Sequence, residues 1–176
     1  MGLGKILTDR LEVPAYVDND ANLVAMAELT FGKGKDHSDF IVITIESGVG
    51  MGMVLGGQIY RGTRGCGAEF GHTKVHLEGA LCRCGQRGCL EAYVADYALV
   101  REANSVGAVN LNTPTSQAVK TILSAARSGD TTAQRVVERA GRMFAMGLAN
   151  LVNIFDPELV ILAGEQIEFD HLYADV

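Results

Sequence analysis

Residues 69–91 read EFGHTKVHLEGALCRCGQRGCLE, and three of the chain's four cysteines fall inside this stretch. Cys82, Cys84 and Cys89 are spaced C-x-C-x4-C, with His72 and His76 shortly before them. A thiolate is a soft, charged ligand, and Zn²⁺ takes four nitrogen or sulfur ligands in a tetrahedron. Gly85 and Gly88 let the backbone fold tightly enough for three sulfurs to converge on one ion. The fourth ligand is then a histidine, either His72 or His76. Arg83 and Arg87 are placed to offset thiolate charge. The alternative is three reduced cysteines in a glycine-rich loop. The loop has no apolar core of its own to hold it, which favours the metal. Cys66 lies outside the spacing and reads as an ordinary small residue.

Composition agrees with a reduced, metal-holding role for these cysteines. The chain has 176 residues, 48% hydrophobic and 20% charged, the balance of a globular domain and not of a disordered chain. Lys plus Arg number 15 and Asp plus Glu 21, a net charge of -6. Such a chain is a poor match for a phosphate backbone on its own account. No apolar run approaches the roughly 18 residues needed to span a bilayer. The start, MGLGKILTDRLEV, is too short and too charged for a secretion signal. The expectation is a cytoplasmic protein whose clustered cysteines bind metal and form no disulfides. Twenty-one residues are glycine, above the usual level of about 7%.

Periodicity outlines the rest. Residues 3–11 predict a short amphipathic helix with Leu3, Ile6, Leu7 and Leu11 on one face, and 15–17 a short strand. Residues 21–31 predict a helix capped by Asp20, with Leu23, Met26, Ala27 and Thr30 on its apolar face. Phe40–Ile45 (FIVITI) reads as a buried strand, followed by a glycine-rich turn over 46–52 and a hairpin of 53–55 with 58–60. Residues 90–103 predict one helix and 106–114 a connection. Two helices follow, at 115–127 and 131–155. The second carries a stripe of Ala133, Val136, Val137, Ala140, Phe144, Leu148, Leu151, Val152 and Phe155, suited to core or dimer packing, and Asp156-Pro157 stops it. A last strand runs over 159–163. The class is mixed α/β.

Three stretches outside the cysteines could carry chemistry. Asp18-Asn19-Asp20-Ala21-Asn22 sits where a strand end enters a helix. A carboxylate there can take a hydroxyl proton, and Asn19 can both donate to and accept from sugar hydroxyls. Helix capping explains the same residues. Glu69 and Glu91 flank the metal loop. If one ion ties His72 to Cys89, the two carboxylates are drawn together, a pairing suited to a polyhydroxyl ligand; the alternative is two surface acids. Glu46–Gly52 follows a strand, and backbone N–H groups near Gly48 and Gly50 could cradle a phosphate, or the turn could simply connect a hairpin.

Taken together, Asn19-Asp20-Ala21-Asn22, Glu69-x-Gly71-His72 and Cys82-x-Cys84-Gly85-x-x-Gly88-Cys89-x-Glu91, in that order, resemble the ROK family of bacterial sugar kinases and sugar-responsive transcriptional repressors. The resemblance runs from about Gly4 to Gly164. It implies an actin-like (ribonuclease H-like) sugar kinase fold with a structural zinc. It implies that His72, Cys82, Cys84 and Cys89 are the zinc ligands, leaving His76 an ordinary residue. It further implies sugar contacts from Asn19, Asp20, Glu69, His72 and Glu91, with His72 serving metal and sugar through one ring nitrogen each. In a kinase, Asp20 would be the catalytic base, acting with ATP and Mg²⁺.

The chain departs from the family pattern in three places. Glu46-Ser47-Gly48 stands where kinases of the family carry Gly-Thr-Gly, and a carboxylate there repels nucleotide phosphate. Gly67-Ala68-Glu69 replaces Ala-Gly-Glu. Neither the first Asp-Gly-Thr phosphate hairpin nor a helix-turn-helix is found, and the sequence stops soon after residues 159–164, so the chain reads as a fragment, mainly the second lobe. The resulting expectation is the sugar-sensing, effector-binding lobe of a ROK regulator, homo-oligomeric, reaching DNA only through a separate N-terminal domain. The alternative is a kinase of a hexose or N-acetylhexosamine.

Overall fold

The computed structural model describes residues 2–108 and 113–164. Part of the connection expected over 106–114 therefore lies outside the described residues. Ten elements follow one another: helices α1 (Leu3–Leu11) and α2 (Asp20–Phe31), strands β1 (Phe40–Ile45), β2 (Val49–Leu55) and β3 (Gln58–Ile59), helices α3 (Glu91–Val94), α4 (Asp96–Ser105), α5 (Thr115–Arg127) and α6 (Thr131–Phe155), and strand β4 (Leu159–Ala163). Short 3-10 turns lie at Lys33–Asp36 and Phe70–His72.

The strands form one sheet in the order β3-β2-β1-β4. β1 runs antiparallel to β2 and parallel to β4, with Val42 opposite Gly52 on one side and Ile161 on the other. Both faces of β1 are covered, which is why FIVITI is apolar at every position but Thr44. Phe40 and Val42 pack with Ala25 and Val54 beneath α2. Ile41 and Ile43 turn the other way, onto Phe70, Leu90, Tyr93, Phe144 and Leu151. A separate apolar cluster joins α4, α5 and α6 through Leu99, Val119, Ile122, Leu123, Val136 and Val137.

The glycines of β2 decide how closely α2 approaches. Gly50 and Gly52 sit on its α2 side, where a Cβ on Gly52 would lie 2.3 Å from the Ala21 carbonyl oxygen and 2.7 Å from the Ala25 Cβ. α2 thus meets the sheet through small residues, and its buried side chains are Ala21, Asn22 and Ala25. This corrects the helical face expected from sequence: Leu23 and Met26 point outward, 49% and 40% exposed. The face that fits against two glycines is the small one, not the bulky one.

Four other expectations change. The 15–17 segment pairs with no strand among the described residues; its Ala15 N–H donates to Thr8 Oγ1 at 2.9 Å, holding it against α1. The helix cap is Asn19, whose side chain accepts from the Ala21 N–H, rather than Asp20. The glycine-rich stretch is not one turn, because β2 begins at Val49 and the bend is confined to Glu46–Gly48. The single helix expected over 90–103 breaks at Ala95, which is extended, and the Asp96 N–H turns to the Glu46 carbonyl at 2.9 Å. α6 matches its expected stripe at Ala133, Val136, Val137, Ala140, Phe144 and Leu151, all buried, and Asp130 caps it by accepting from Thr132 and Ala133. No helix among the described residues is long and apolar enough to cross a membrane.

The close approach over Gly52 sets a test. Gly52→Val places a side chain into the Ala21 backbone and is expected to destabilise the fold by about 1–3 kcal/mol, the usual cost of overpacking. Chemical denaturation read by circular dichroism measures it.

Candidate metal centre and sugar-facing site

The loop between residues 72 and 91 is held by backbone before any ligand is considered. Val75 N donates to Gly88 O and Leu90 N to Thr73 O, each at 2.9 Å, so the two ends of the loop run side by side. Cys82 N donates to Gln86 O at 2.8 Å and Gly85 N to Cys82 O at 3.0 Å, closing a tight turn around Cys84. Gly85 (φ 85°) and Gly88 (φ 76°) adopt the left-handed conformation that this path requires.

These turns bring His72, Cys82, Cys84 and Cys89 together, with one ligand atom from each and all within 4.8 Å of one another. The Cys84 and Cys89 sulfurs are 3.7 Å apart, and Cys82 Sγ is 3.8 Å from His72 Nδ1. Zn–S bonds of about 2.3 Å in a tetrahedron imply an S–S edge of about 3.8 Å, which the Cys84–Cys89 pair matches, and the three thiols and one imidazole suit zinc in chemistry. The choice between the two histidines is decided by geometry: His76 Nδ1 is directed to the Leu77 carbonyl at 2.8 Å and stands outside the cluster. Cys66 is exposed and apart, as its spacing implied.

Sequence reasoning assigned charge compensation to Arg83 and Arg87, but the structure gives it to Lys74. Its Nζ lies 3.0 Å from Cys89 Sγ, and that contact raises the lysine pKa. Arg83 and Arg87 instead donate to the carbonyls of Ser47 and Gly79, each at 3.1 Å. Lys74 stands across an antiparallel bridge from Cys89, a pairing that residue spacing does not reveal. Burial pushes the Cys82 thiol up to about 11, whereas the Gln86 backbone N–H draws Cys84 down.

Glu91 is the buried acid of the site, at 8% exposure. Its Oε2 accepts from Val49 N at 3.4 Å, and its Oε1 lies 3.4 Å from the Tyr97 hydroxyl and 3.5 Å from Cys82 Sγ. The same carboxylate therefore touches the sheet and the metal loop. The Tyr97 hydroxyl is also 3.8 Å from Cys82 Sγ, and burial raises its pKa well above the ordinary phenol value. Tyr97 was not singled out by sequence, since a tyrosine on a helix carries no motif. Glu69 is exposed, at the start of the 3-10 turn that carries His72.

At the N-terminus of α2, Asn19 and Asp20 are exposed, and both side chains accept from the Ala21 N–H at 2.9 and 2.8 Å. Asp18 emerges as the structural anchor of this motif. It accepts from Asn22 Nδ2 at 2.9 Å, from its neighbour's backbone N–H at 2.8 Å and from Arg61 Nε at 2.7 Å. The Asn22 bond leads in holding its carboxyl below the usual value. Gly48 lies in the β1–β2 bend, whereas Gly50 is inside β2, where a Cβ would meet Thr44 Oγ1 at 2.6 Å. Its small size serves packing there.

Purified, unchelated protein is expected to hold one zinc per chain by elemental analysis, and Cys84→Ser to release it. Binding must displace protons from the thiols, Cys82 above all, so zinc affinity is expected to rise as pH is raised from 6 to 8, measured by competition with a chromogenic chelator.

A family model described as ROK family matches residues 1–176. The chain is 38% identical over 166 residues to a glucokinase of Streptomyces coelicolor, an alignment covering 88% of this chain and 52% of that protein. It is 34% identical over 175 residues to the N-acetylglucosamine repressor of Escherichia coli, covering 96% and 42%. Among solved structures, a ROK family glucokinase from Streptomyces griseus in complex with glucose and AMPPNP matches with a TM-score of 0.83 at 38% identity, covering 98% of this chain and 59% of the other. The chain thus spans about half the length of the curated relatives it matches. Kinases and repressors both stand among its relatives, and the sheet and helices follow their actin-like fold. The chain belongs to the ROK family.

Proposed function

We propose that this chain is the sugar-sensing, effector-binding lobe of a ROK transcriptional regulator, with zinc as its structural metal. The observation that carries this reading is the β1–β2 bend. It presents the exposed Glu46 carboxylate, and two N–H groups in and next to it are already committed, Glu46 N to Gly48 O at 2.9 Å and Val49 N to Glu91. A negative side chain and occupied donors make a poor phosphate cradle at Gly48, and Gly50 is turned to packing. A sensor needs no γ-phosphate site.

On the sugar side, Asn19, Asp20, Glu69, His72 and Glu91 supply the polar groups. With His72 Nδ1 on the metal, Nε2 carries the proton and can donate to a sugar hydroxyl. Glu91 already holds protein partners on both oxygens, but a carboxylate offers about four lone-pair sites, so it can still accept from a ligand. The likeness to a protein named as a repressor supports the regulator reading; in this reading the chain is a homo-oligomer in the cytoplasm and reaches DNA through a separate N-terminal domain. The second reading is an ATP- and Mg²⁺-dependent sugar kinase. It is favoured by the exposed Asp20 at the head of α2, a suitable general base, and by the likeness to glucokinases.

Calorimetry with a panel of hexoses and N-acetylhexosamines tests the sugar site. Glu69→Gln is expected to weaken binding by about 1.5–3 kcal/mol, the range for hydrogen bonds to charged groups. Unchanged affinity for a sugar that does bind removes Glu69 from the site. A coupled ATP-consumption assay separates the two readings. Sugar-dependent turnover that vanishes in Asp20→Ala overturns the regulator and establishes the kinase.

A further inference from the structure

The metal loop and the β1–β2 bend are far apart in sequence, yet they share a set of contacts. Arg83 lies between the two ligands Cys82 and Cys84, and its Nη1 donates to the Ser47 carbonyl at 3.1 Å. The same guanidinium stacks over the Tyr97 ring, 4.0 Å from its centroid. The Tyr97 hydroxyl reaches both Glu91 Oε1 and Cys82 Sγ. Glu91 Oε2 takes the Val49 N–H, and the Asp96 N–H is given to Glu46 O. The carbonyls of Glu46 and Ser47 in the bend, and the N–H of Val49 where β2 begins, are thus held by residues of the 83–96 stretch.

We propose that Arg83 is a positioning residue that couples the metal loop to the β1–β2 bend, so that the bend is ordered only while the four ligands are gathered. The physical reason is direction. With Cys82 and Cys84 both held at one ion, the backbone at Arg83 has a fixed orientation, and its side chain meets Ser47 and Tyr97 together. If the two sulfurs separate, that orientation is lost, and with it the Ser47 contact and the packing of Arg83 on Tyr97 beside Glu91, so the bonds left to the bend are loosened. The planar guanidinium suits the task because it donates in its plane and stacks on its face at the same time. The bend borders Glu91, so the coupling deepens the reading above by making the state of the metal loop a condition of the sugar-facing edge. The relevance to sensing rests on that reading; the coupling itself does not.

Hydrogen exchange of the Glu46, Val49 and Asp96 amides tests it, with the α5 and α6 amides as internal reference. No sugar or nucleotide is present, so failure here is separable from failure of the sugar site. In the wild-type chain, chelation is expected to speed exchange at these three amides by about tenfold or more, the scale of a charge-assisted hydrogen bond, and to leave the reference unchanged. Arg83→Met is expected to keep one zinc per chain while showing, fully loaded, the exchange of the chelated wild type. Arg83→Lys, which can donate to Ser47 but cannot stack as a plane, is expected to fall between. If chelation also releases the reference amides, the comparison of loaded Arg83→Met with loaded wild type decides alone. Wild-type protection in loaded Arg83→Met, three amides indifferent to chelation, or an Arg83→Met chain that cannot be loaded each overturns the proposal.

Discussion

Convergence of four soft donors on one point is the constraint on which the site depends. His72, Cys82, Cys84 and Cys89 bring their ligand atoms within 4.8 Å of one another. Only a few backbone bonds and two left-handed glycines shape the loop that does this. Such a loop buries little apolar surface of its own, so ligand binding at such sites doubles as folding energy. Three thiolates on one dication would leave excess negative charge, and the Lys74 ammonium lies against Cys89, where it would meet that charge. The ends of the loop carry Glu69 and Glu91, so the arrangement that gathers the sulfurs also fixes where the two carboxylates stand.

Around that loop the sheet supplies rigidity. β1 is covered on both faces, and β2 divides its side chains between a bulky face of Val49, Met51 and Met53 and a glycine face beneath α2. The glycine face brings the head of α2, with Asn19 and Asp20, close to the sheet end from which the Glu46–Gly48 bend projects. Asp18 then ties this head to Arg61, a contact across the 18–61 separation with its partner nitrogen at 2.7 Å. A buried carboxylate, Glu91, joins sheet and loop. Under the proposed function, the acids, the imidazole and the amide of these elements supply the polar groups that a polyhydroxyl ligand requires.

Much of this was legible in the chain. The spacing of Cys82, Cys84 and Cys89 pointed to metal because few other uses bring three thiols and a histidine into one short loop. FIVITI announced a buried strand, and the 131–155 stripe a long helix suited to core or dimer packing, because burial writes its pattern directly into residue type. The order of the Asn-Asp-Ala-Asn, Glu-x-Gly-His and cysteine motifs carried the family. The errors share a cause. Leu23, Met26, Ala27 and Thr30 have helical spacing but face outward, because the residues that fit over Gly50 and Gly52 must be small. The helix at 90–103 breaks because the Asp96 N–H is claimed by Glu46 from another part of the chain.

What the sequence by itself determined was the set of elements with strong local period, the three motifs and the ligand types, since each depends on residues near one another along the chain. The motif order also pointed to His72 as the fourth ligand, and the folded loop agrees. Tertiary structure alone decided that Lys74 rather than either arginine lies against a ligand sulfur, that Gly50 packs beneath a helix, and that Arg83 and Glu91 reach the β1–β2 bend. These are outcomes of distance and direction between residues brought together by folding. Residue type states what a side chain can donate or accept, but only the folded backbone sets which partner lies within reach.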